Sequence, residues 1–450
     1  MQTTLQTPLF REFFRTWLHI GLVSFGGPAA QIALMHRLIV DEKRWLSETQ
    51  FLNALNFCML LPGPEAMQLA TYCGWRQRGM IGGVISGGLF VLPGAIIIAL
   101  LAACYVHYAD VSLVQSAFVG IKAAVIMIIL QALLRISQRV LLSLHHQFIA
   151  LAAFLALFLL QLPYPLVIFG AASAGYFLFR KPNKSPLTTN LTTATTTATT
   201  TATTAPAHSK PCHQTTIRTL VIGISLWASP LLATYALFGK NMLFDMGVFF
   251  SKLAVISFGG AYAVLAYMTQ TLVQENGWIS TPQMIDALGL AESTPGPLIL
   301  VTEFTAYIAA YYEYGTWYAI AATLMTLWVT FVPCYLWIFI GAPYLQWLSQ
   351  MPTLKNILSG ITAGIVGVML NLGIWFALTV YFQEIKQTTS FLGVQLPTAL
   401  PTVSLSAFDM IPFAISLLAA ALLFKYKTNL LLTLALCALT AAGLGMILSA

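Results

Sequence analysis

Two Pro-Gly-Pro motifs interrupt apolar stretches of the sequence, at residues 62–64 and 295–297. Proline removes a backbone donor and clashes with the preceding turn, and glycine tolerates dihedral angles closed to other residues. Each motif therefore predicts the end of one half-helix and the start of another. Half-helices whose positive N-terminal ends meet inside a membrane hold anionic substrate groups in several secondary transporters. The two motifs thus predict a binding site for a small anion.

A Ser-Phe-Gly-Gly motif is duplicated in the same register, at 24–27 and 257–260, since one offset of 233 residues relates both pairs of motifs. We expect all four breaks to converge on the anion. The predicted substrate-binding residues of the breaks are Gly26, Gly27, Pro28, Gly63, Pro64, Gly259, Gly260, Gly296 and Pro297. The alternative is that the breaks are kinks that serve helix packing only.

Lys122 stands about ten residues from either end of an apolar segment. An ionisable side chain is costly there and marks a functional site by default. We predict that Lys122 binds the substrate by neutralising its negative charge. The alternatives are that its ammonium group snorkels to the membrane surface or pairs with an acidic neighbour.

Four other ionisable residues are predicted candidates for proton coupling: Glu65, Glu292, His19 and Lys252. Glu65 directly follows the first Pro-Gly-Pro motif and Glu292 precedes the second, whereas His19 and Lys252 share one repeat position. Desolvation makes a carboxyl group hold its proton more tightly. Glu303 is a weaker candidate of the same kind. The alternatives are static ion pairs for the acids and a hydrogen-bonded core position for the histidine.

The composition, 58% hydrophobic and 8% charged over 450 residues, is that of a polytopic membrane protein. The six cysteines are scattered without a C-x-x-C pair and predict neither a metal site nor a redox centre. The net charge of +7 arises in short loops and a linker, which argues against a nucleic-acid partner. The sequence has no phosphate loop, and its apolar segments hold no H-E-x-x-H or G-x-S-x-G motif. We therefore expect no ATP hydrolysis, no cofactor and no enzymatic activity.

The apolar segments predict an all-α fold of about 13 transmembrane segments, with six on each side of one extra segment. The predicted domains are an N-terminal repeat at 1–180, a Thr-rich linker at 181–216, a connecting transmembrane helix at 217–239 and a C-terminal repeat at 240–450. The extra segment turns the second repeat upside down relative to the first. Such inverted-topology repeats are a recurring architecture of secondary transporters.

Lysine and arginine counts favour this topology, because cytoplasmic loops are enriched in both residues. If every segment crosses once, 14 of them fall on the side of the N-terminus and five on the other side. If the two Ser-Phe-Gly-Gly segments turned back instead, the split would be nine against ten. We therefore predict single crossings, a cytoplasmic N-terminus and linker, and a C-terminus on the outside.

Several stretches resemble the chromate ion transporter family in its long, two-domain form. They are FGGPAAQ at 25–31, DEKRWL at 41–46, LNFCMLLPGPEAMQLATY at 55–72, GIKAAV at 120–125, SFGGAY at 257–262 and LAESTPGPLI at 290–299. By this resemblance the F-G-G-P and P-G-P residues are the functional ones. Many relatives have histidine where Gln31 stands and serine or threonine where Glu65 stands, so neither is predicted as a substrate ligand.

The resemblance implies a secondary transporter that exports chromate across the bacterial inner membrane and confers chromate resistance, with a homodimer allowed. An inside-negative potential favours outward movement of each negative charge by about 2.3 kcal/mol per 100 mV, so a dianion is driven out. Proton antiport would add to this driving force. The alternatives are a transporter of sulfate or another oxyanion that works in the uptake direction, and a channel.

Overall fold

The computed structural model describes residues 8–179, 213–258, 261–345, 351–382, 385–391 and 394–449. Most of the predicted Thr-rich linker at 181–216, and the predicted site residues Gly259 and Gly260, lie outside these ranges. The division of the chain into domains stays a prediction.

The first half of the chain folds as helices α1 to α7. They are α1 (Phe10–Val23), α2 (Gly27–His36, continued by a π-helical turn Arg37–Glu42), α3 (Glu48–Cys58), α4 (Glu65–Tyr108), α5 (Ser112–Val140), α6 (Leu144–Phe158) and α7 (Tyr164–Leu178). The connecting helix α8 (His213–Phe238) begins four residues before the predicted position 217.

The second half of the chain folds as helices α9 to α16 with one β-hairpin. The helices are α9 (Met242–Ile256), α10 (Ala261–Met268, continued by a π-helical turn Thr269–Glu275), α11 (Thr281–Ser293), α12 (Val301–Tyr314, preceded by a 3₁₀ turn Leu298–Leu300), α13 (Thr316–Gly341, followed by a 3₁₀ turn Ala342–Tyr344), α14 (Pro352–Tyr381), α15 (Met410–Ala420, continued by a π-helical turn Ala421–Lys425) and α16 (Leu430–Ser449). Between α14 and α15, strands β1 (Ile385–Phe391) and β2 (Val394–Val403) pair antiparallel, and a 3₁₀ turn Leu405–Ala407 follows.

Helices α1 and α2 form a hairpin. The Lys43 ammonium group lies 2.7 Å from the Glu12 carboxylate, and the ring of Trp45 stacks on that of Phe13. The chain that follows the hairpin has therefore returned to the level at which α1 begins. With 14 residues α1 is about 21 Å long, short of the roughly 30 Å of a bilayer's hydrocarbon core. The first Ser-Phe-Gly-Gly break thus lies at the tip of a fold-back.

Helix α3 and the first part of α4 form a second hairpin beside the first. His36, at the end of α2, lies 2.6 Å from Glu48 at the start of α3. Beyond the break at 62–64, α4 runs to Arg78, whose guanidinium group donates to the carbonyl oxygen of Pro8. Both hairpins therefore begin and end at one end of the molecule, which we call the α1 face.

Helix α4 reverses at Gly79, whose φ of 64° is the left-handed conformation that glycine adopts readily. Across this reversal the Ser86 hydroxyl donates to the carbonyl oxygen of Ala70 at 2.8 Å. Gly74 and Gly82 permit this close approach, since a Cβ atom on Gly82 would lie 2.4 Å from the carbonyl oxygen of Gly74. The second part of α4 then leads away from the α1 face.

Helices α11 and α12 form a matching hairpin at the other end of the molecule. Tyr105, near the end of α4, donates to Asp286 in α11 at 2.9 Å, and the His107 ring lies 5.7 Å from that of Tyr311 near the end of α12. The hairpin therefore begins and ends where α4 ends. We call this end the α9 face.

Helices α9 and α10 also turn back to the α9 face. The backbone N–H of Leu243, at the start of α9, donates to the hydroxyl of Tyr318, three residues past the reversal at Gly315. The π-helical turn after α10 ends at Glu275, and five residues connect it to the start of α11. The two halves of the chain thus send their broken hairpins inward from opposite ends.

Within the described residues, the second part of α4 and helices α5, α8, α13 and α14 run from one face to the other. Six helices, these five and α16, are long and apolar enough to cross a membrane. This arrangement does not confirm the prediction of about 13 single crossings. A break after 11 to 15 helical residues leaves each motif-bearing helix too short to cross, and the chain returns to the face from which it came.

The two halves exchange their last pairs of helices. Helices α15 and α16 pack against α5, and helices α6 and α7 pack against α14. A Cβ atom on Gly120 would lie 2.1 Å from the carbonyl oxygen of Cys437, and one on Gly360 would lie 2.6 Å from the Cα atom of Gly175. The repeated Gly-Ile pair at 120 and 360 thus marks the same close helix crossing in both halves.

Candidate functional site

The four breaks meet in two pairs, and each pair joins the two halves of the chain. The N–H of Gly296 donates to the carbonyl oxygen of Ser24 at 3.0 Å and to its hydroxyl at 3.2 Å. The N–H of Gly63 donates to the carbonyl oxygen of Ser257 at 2.9 Å. Each Ser-Phe-Gly-Gly break is therefore hydrogen-bonded to the Pro-Gly-Pro break of the other half, as buried backbone groups require.

Two buried glutamines complete the hydrogen bonding of the breaks. The Gln31 amide donates to the carbonyl oxygen of Gly296 at 2.6 Å and to that of Ser24 at 3.2 Å. The Gln68 amide donates to the carbonyl oxygen of Pro62 at 2.6 Å. Gln31 thus crosses between the halves, whereas Gln68 stabilises a break of its own half.

Glycine is required at the centre of both Pro-Gly-Pro motifs. Gly63 has a φ of 118° and Gly296 a φ of 94°, in the left-handed region that disfavours side chains. A Cβ atom on Gly63 would also lie 2.9 Å from the sulfur of Cys334 in α13. The motif therefore fixes both the direction of the chain and its contact with the opposite half.

The break at 295–297 docks on α4 where Gly94 leaves space. A Cβ atom on Gly94 would lie 2.2 Å from the carbonyl oxygen of Pro295. We expect Gly94→Ala to destabilise the protein by about 1–3 kcal/mol, because the break must move away from α4. Thermal unfolding of the purified protein in detergent measures this loss. Gly88→Ala, on the same helix and 3.6 Å from its nearest neighbour, is the control, and equal unfolding temperatures would contradict the contact.

Helices that begin at the breaks lack side-chain caps, in contrast to α3 and α11, which begin at the faces. Ser47 and Ser280 form full capping boxes at the starts of α3 and α11. Helices α2 and α4 begin after Gly26 and Pro64, neither of which caps the first turn with a side chain. Uncapped first-turn N–H groups and the positive end of the helix dipole bind anions. The breaks therefore present two helix ends suited to a negatively charged ligand.

A cavity of about 450 Å³ opens beside α1 at the α1 face. Arg11, Arg15 and His19 line it at intervals of four residues, so that they follow one side of α1 towards the break at 24–27. The acidic residue of the lining, Glu12, is paired with Lys43. The cavity is therefore net positive and attracts anions to the approach to the break.

The predicted residues of the breaks occupy different depths. Gly63, Gly296 and Pro297 are buried, Gly27, Pro28 and Pro64 are half-buried, and Gly26 is exposed. A Cβ atom on Gly27 would meet no atom within 4 Å, so the start of α2 borders open space.

Lys122 pairs with an acidic neighbour, which is one of the two alternatives that the sequence left open. Its ammonium group lies 3.3 Å from Asp286, which also accepts from Tyr105. Asp286 lies eight residues before Thr294 in α11, about 12 Å from the break by the rise of the helix. Asp286 thus balances the positive charge of Lys122 at a distance from the breaks.

The four predicted proton-coupling residues are dispersed. Glu65 is the half-buried first residue of α4, and Glu292 is buried in the last turn of α11. His19 and Lys252 are exposed on α1 and α9, at the same level of the two halves. Only Glu65 and Glu292 adjoin the breaks.

Two residues of the site were missed from the sequence. Gln31 was set aside because the resembling family has histidine there, although its position four residues past Gly27 places it in the first turns of α2. Asp286 gave a signal that could have been used, since it is an acid six residues into an apolar segment. Among the described residues, no three His, Cys, Asp or Glu side chains are grouped to hold a metal ion.

Comparisons with known proteins match most of the chain. Residues 11–176 and 244–446 match the family described as Chromate transporter. The chain is 28% identical over 366 residues to a chromate transport protein of Cupriavidus metallidurans, covering 81% of this chain and 82% of the relative. It is 30% identical over 370 residues to a chromate transport protein of Pseudomonas aeruginosa, covering 80% and 79%. A probable chromate transport protein of Synechococcus elongatus is 26% identical over 359 residues, covering 80% and 82%. No solved structure matches the chain.

Proposed function

Because this chain belongs to the chromate transporter family, we propose that it exports chromate and related tetrahedral dianions through the bacterial inner membrane as a secondary transporter. The observation that carries the proposal is the pair of cross-half hydrogen bonds, Gly296 to Ser24 and Gly63 to Ser257. They hold the uncapped starts of α2 and α4, at the tips of two hairpins from the α1 face, against the breaks of hairpins that come from the α9 face. An anion between such tips is reached from one face or the other as the hairpins shift, which is alternating access.

The binding chemistry proposed here relies on backbone N–H groups and helix dipoles. Gly26, Gly27 and Pro28 shape the start of α2, Gly63 and Pro64 shape the start of α4, and residues 259, 260, 296 and 297 hold the equivalent positions. The donors are the uncapped first-turn N–H groups of the two helices. Proline has no N–H, and the N–H groups of Gly63 and Gly296 already donate to Ser257 and Ser24. A tetrahedral dianion accepts several hydrogen bonds, and donors on rigid backbone suit its four oxygens. Lys122 is left out of this site, because its charge is already matched by Asp286.

The basic cavity at the α1 face supports the export direction. A dianion in the cytoplasm would meet Arg11, Arg15 and His19 before it reached the break. The segment that connects α2 with α3 at the α1 face also carries Arg37, Lys43 and Arg44. Basic residues mark the cytoplasmic side of membrane proteins. We therefore place the α1 face and the Thr-rich linker in the cytoplasm. The membrane potential then drives the dianion outward.

Radiolabelled chromate flux in everted membrane vesicles tests the proposal. An imposed potential, positive inside the vesicle, should accumulate chromate severalfold over vesicles without this protein, and sulfate should compete. Arg15→Gln should lower the apparent affinity for chromate. Arg139→Gln, which replaces an exposed arginine in the last turn of α5, should leave that affinity unchanged.

Two outcomes would contradict export. Vesicles that fail to accumulate chromate, while intact cells take up sulfate through the protein, would favour the oxyanion importer. Flux that does not saturate with chromate concentration would favour a channel. The predicted homodimer plays no part in this test and stays a prediction.

A further inference from the structure

Glu303 is a buried acid that the proposed anion site does not use. It lies in the first turn of α12, is 1% exposed, and neither of its carboxylate oxygens has a hydrogen-bond partner. It also takes part in none of the ion pairs of the described residues. An ionised carboxylate in such surroundings is strongly disfavoured, so the group carries a proton in this conformation.

Three threonines on α13 share this lack of partners. The hydroxyls of Thr323, Thr326 and Thr330 are buried and make no hydrogen bond. Other buried threonine hydroxyls, such as those of Thr71 and Thr305, donate to a carbonyl about one turn back. At spacings of three and four residues the three hydroxyls follow one side of α13. They form a track of free donors and acceptors inside the protein, which we call the threonine track.

The register of the matching hairpin in the first half, applied to α12 and α13, sets Glu303 at the level of this track. In the matching hairpin of the first half, Ala70, nine residues before Gly79, is bonded to Ser86, seven residues after it. The same register about Gly315 puts Glu303, 12 residues before the glycine, at the level of the stretch that holds Thr323 and Thr326 on the helix packed against it.

The threonine track leads from near the α9 face towards a break. Thr323 lies eight residues past the reversal at Gly315. At the other end, the Cys334 thiol donates to the carbonyl oxygen of Thr330 at 3.2 Å, and Cys334 packs against Gly63. The track therefore connects the neighbourhood of Glu303 with the Gly63–Ser257 pair of breaks.

The ionisable groups on the elements packed against α12 do not neutralise Glu303. These elements are α4, α9, α11 and α13. Their groups are Glu65, Tyr72, Cys73, Arg76, Arg78, Cys104, Tyr105, His107, Tyr108, Asp245, Lys252, Asp286, Glu292, Tyr318, Cys334 and Tyr335. None of them is bonded to Glu303, whose oxygens have no partner. The first half has no acid at the corresponding position, since Glu303 falls on Ala70 by the repeat offset of 233.

We propose that Glu303 is the proton-binding site of this transporter and that the threonine track connects it to the Gly63–Ser257 pair of breaks. In each cycle the carboxylate takes one proton from water at the α9 face and later releases it to water at the α1 face. This inward step accompanies the outward passage of one dianion. The inference rests on the proposed export function, and it assigns proton coupling to Glu303 rather than to Glu65, Glu292, His19 or Lys252.

Flux in proteoliposomes tests the coupling. In liposomes that hold the full chain, a pH gradient should stimulate radiolabelled chromate flux severalfold, with opposite proton movement reported by an internal pH dye. Glu303→Gln should remove this stimulation completely and retain chromate exchange at equilibrium. Glu313→Gln, which alters an exposed glutamate on the same helix, should behave as the unmodified protein. A full response to the pH gradient in Glu303→Gln would overturn the proposal.

An infrared measurement tests the proton site without transport. The unmodified protein and Glu313→Gln should show the carbonyl band of a protonated carboxylic acid at neutral pH, and Glu303→Gln should lack that share of the band. Its persistence in Glu303→Gln would overturn the assignment. If chromate flux is absent while the band depends on Glu303, the export function fails and the proton site stands, so the two failures are distinguishable.

Discussion

Replacing Lys122 with methionine will greatly reduce the amount of folded protein in the membrane, and adding Asp286→Asn will restore it. The Lys122 ammonium group is the charged partner of Asp286, whose side chain is 4% exposed. Removal of one partner from a buried ion pair costs about 3–5 kcal/mol, because the remaining charge is left uncompensated. Neutralising both groups avoids this cost. Asparagine keeps an acceptor for the Tyr105 hydroxyl.

The measurement combines protein level with transport. We expect Lys122→Met/Asp286→Asn to reach near the normal level of folded protein by size-exclusion chromatography and to retain most chromate flux. Lys355→Met, which removes an exposed lysine from the start of α14, is the control for loss of positive charge. A double variant that folds normally but transports nothing would return Lys122 to the substrate site, as the sequence predicts.

The repeats and their breaks could be predicted from the sequence because their causes are local. A Pro-Gly-Pro sequence ends a helix through its own backbone geometry, whereas the single prolines at 93, 230 and 333 lie within helices. An offset of 233 residues brings both motifs of one half onto those of the other. The meeting of the breaks followed from this duplication. The identity of the meeting partners, Ser24 with Gly296 and Ser257 with Gly63, needed the structure, since it depends on how two halves dock.

The predicted number of crossings is not confirmed, and the charge test behind it compared too few alternatives. In its second alternative only the Ser-Phe-Gly-Gly segments turned back. That alternative assigned basic residues of the α1 face to the opposite side of the membrane. In the structure the Pro-Gly-Pro segments turn back as well, so Arg37, Lys43 and Arg44 share the α1 face with Arg78. Helix length decides between a single crossing and a hairpin, because a helix of about 21 Å cannot cross a hydrocarbon core of about 30 Å.

Side-chain partners across the halves could not be predicted from one sequence. Lys122 and Asp286 are 164 positions apart, and Gln31 and Gly296 are 265 apart. No local pattern links such residues. Glu303 was recognisable as an acid in an apolar segment, but its isolation from every partner is a property of packing.

Gln31→Val will reduce chromate transport at least tenfold while most of the protein stays folded. The repeat offset puts Gln31 on Val264, so this substitution gives both halves the same residue. The Gln31 amide is a side-chain link between the two breaks of its pair, through Gly296 at 2.6 Å and Ser24 at 3.2 Å. Valine leaves two buried carbonyl oxygens with fewer donors, which costs about 1–3 kcal/mol.

This free-energy cost should mainly change how the two breaks are arranged rather than unfold the protein, because the backbone bond from Gly296 to Ser24 persists. A free-energy change of about 1–3 kcal/mol shifts an equilibrium between conformations by about 5- to 150-fold. We therefore expect lower maximal flux at a nearly normal unfolding temperature. Gln274→Val, at an exposed glutamine in the π-helical turn after α10, is the matched control and should transport normally. Full flux in Gln31→Val would mean that the backbone bond alone holds the breaks together, and Gln31 would then have no part in transport.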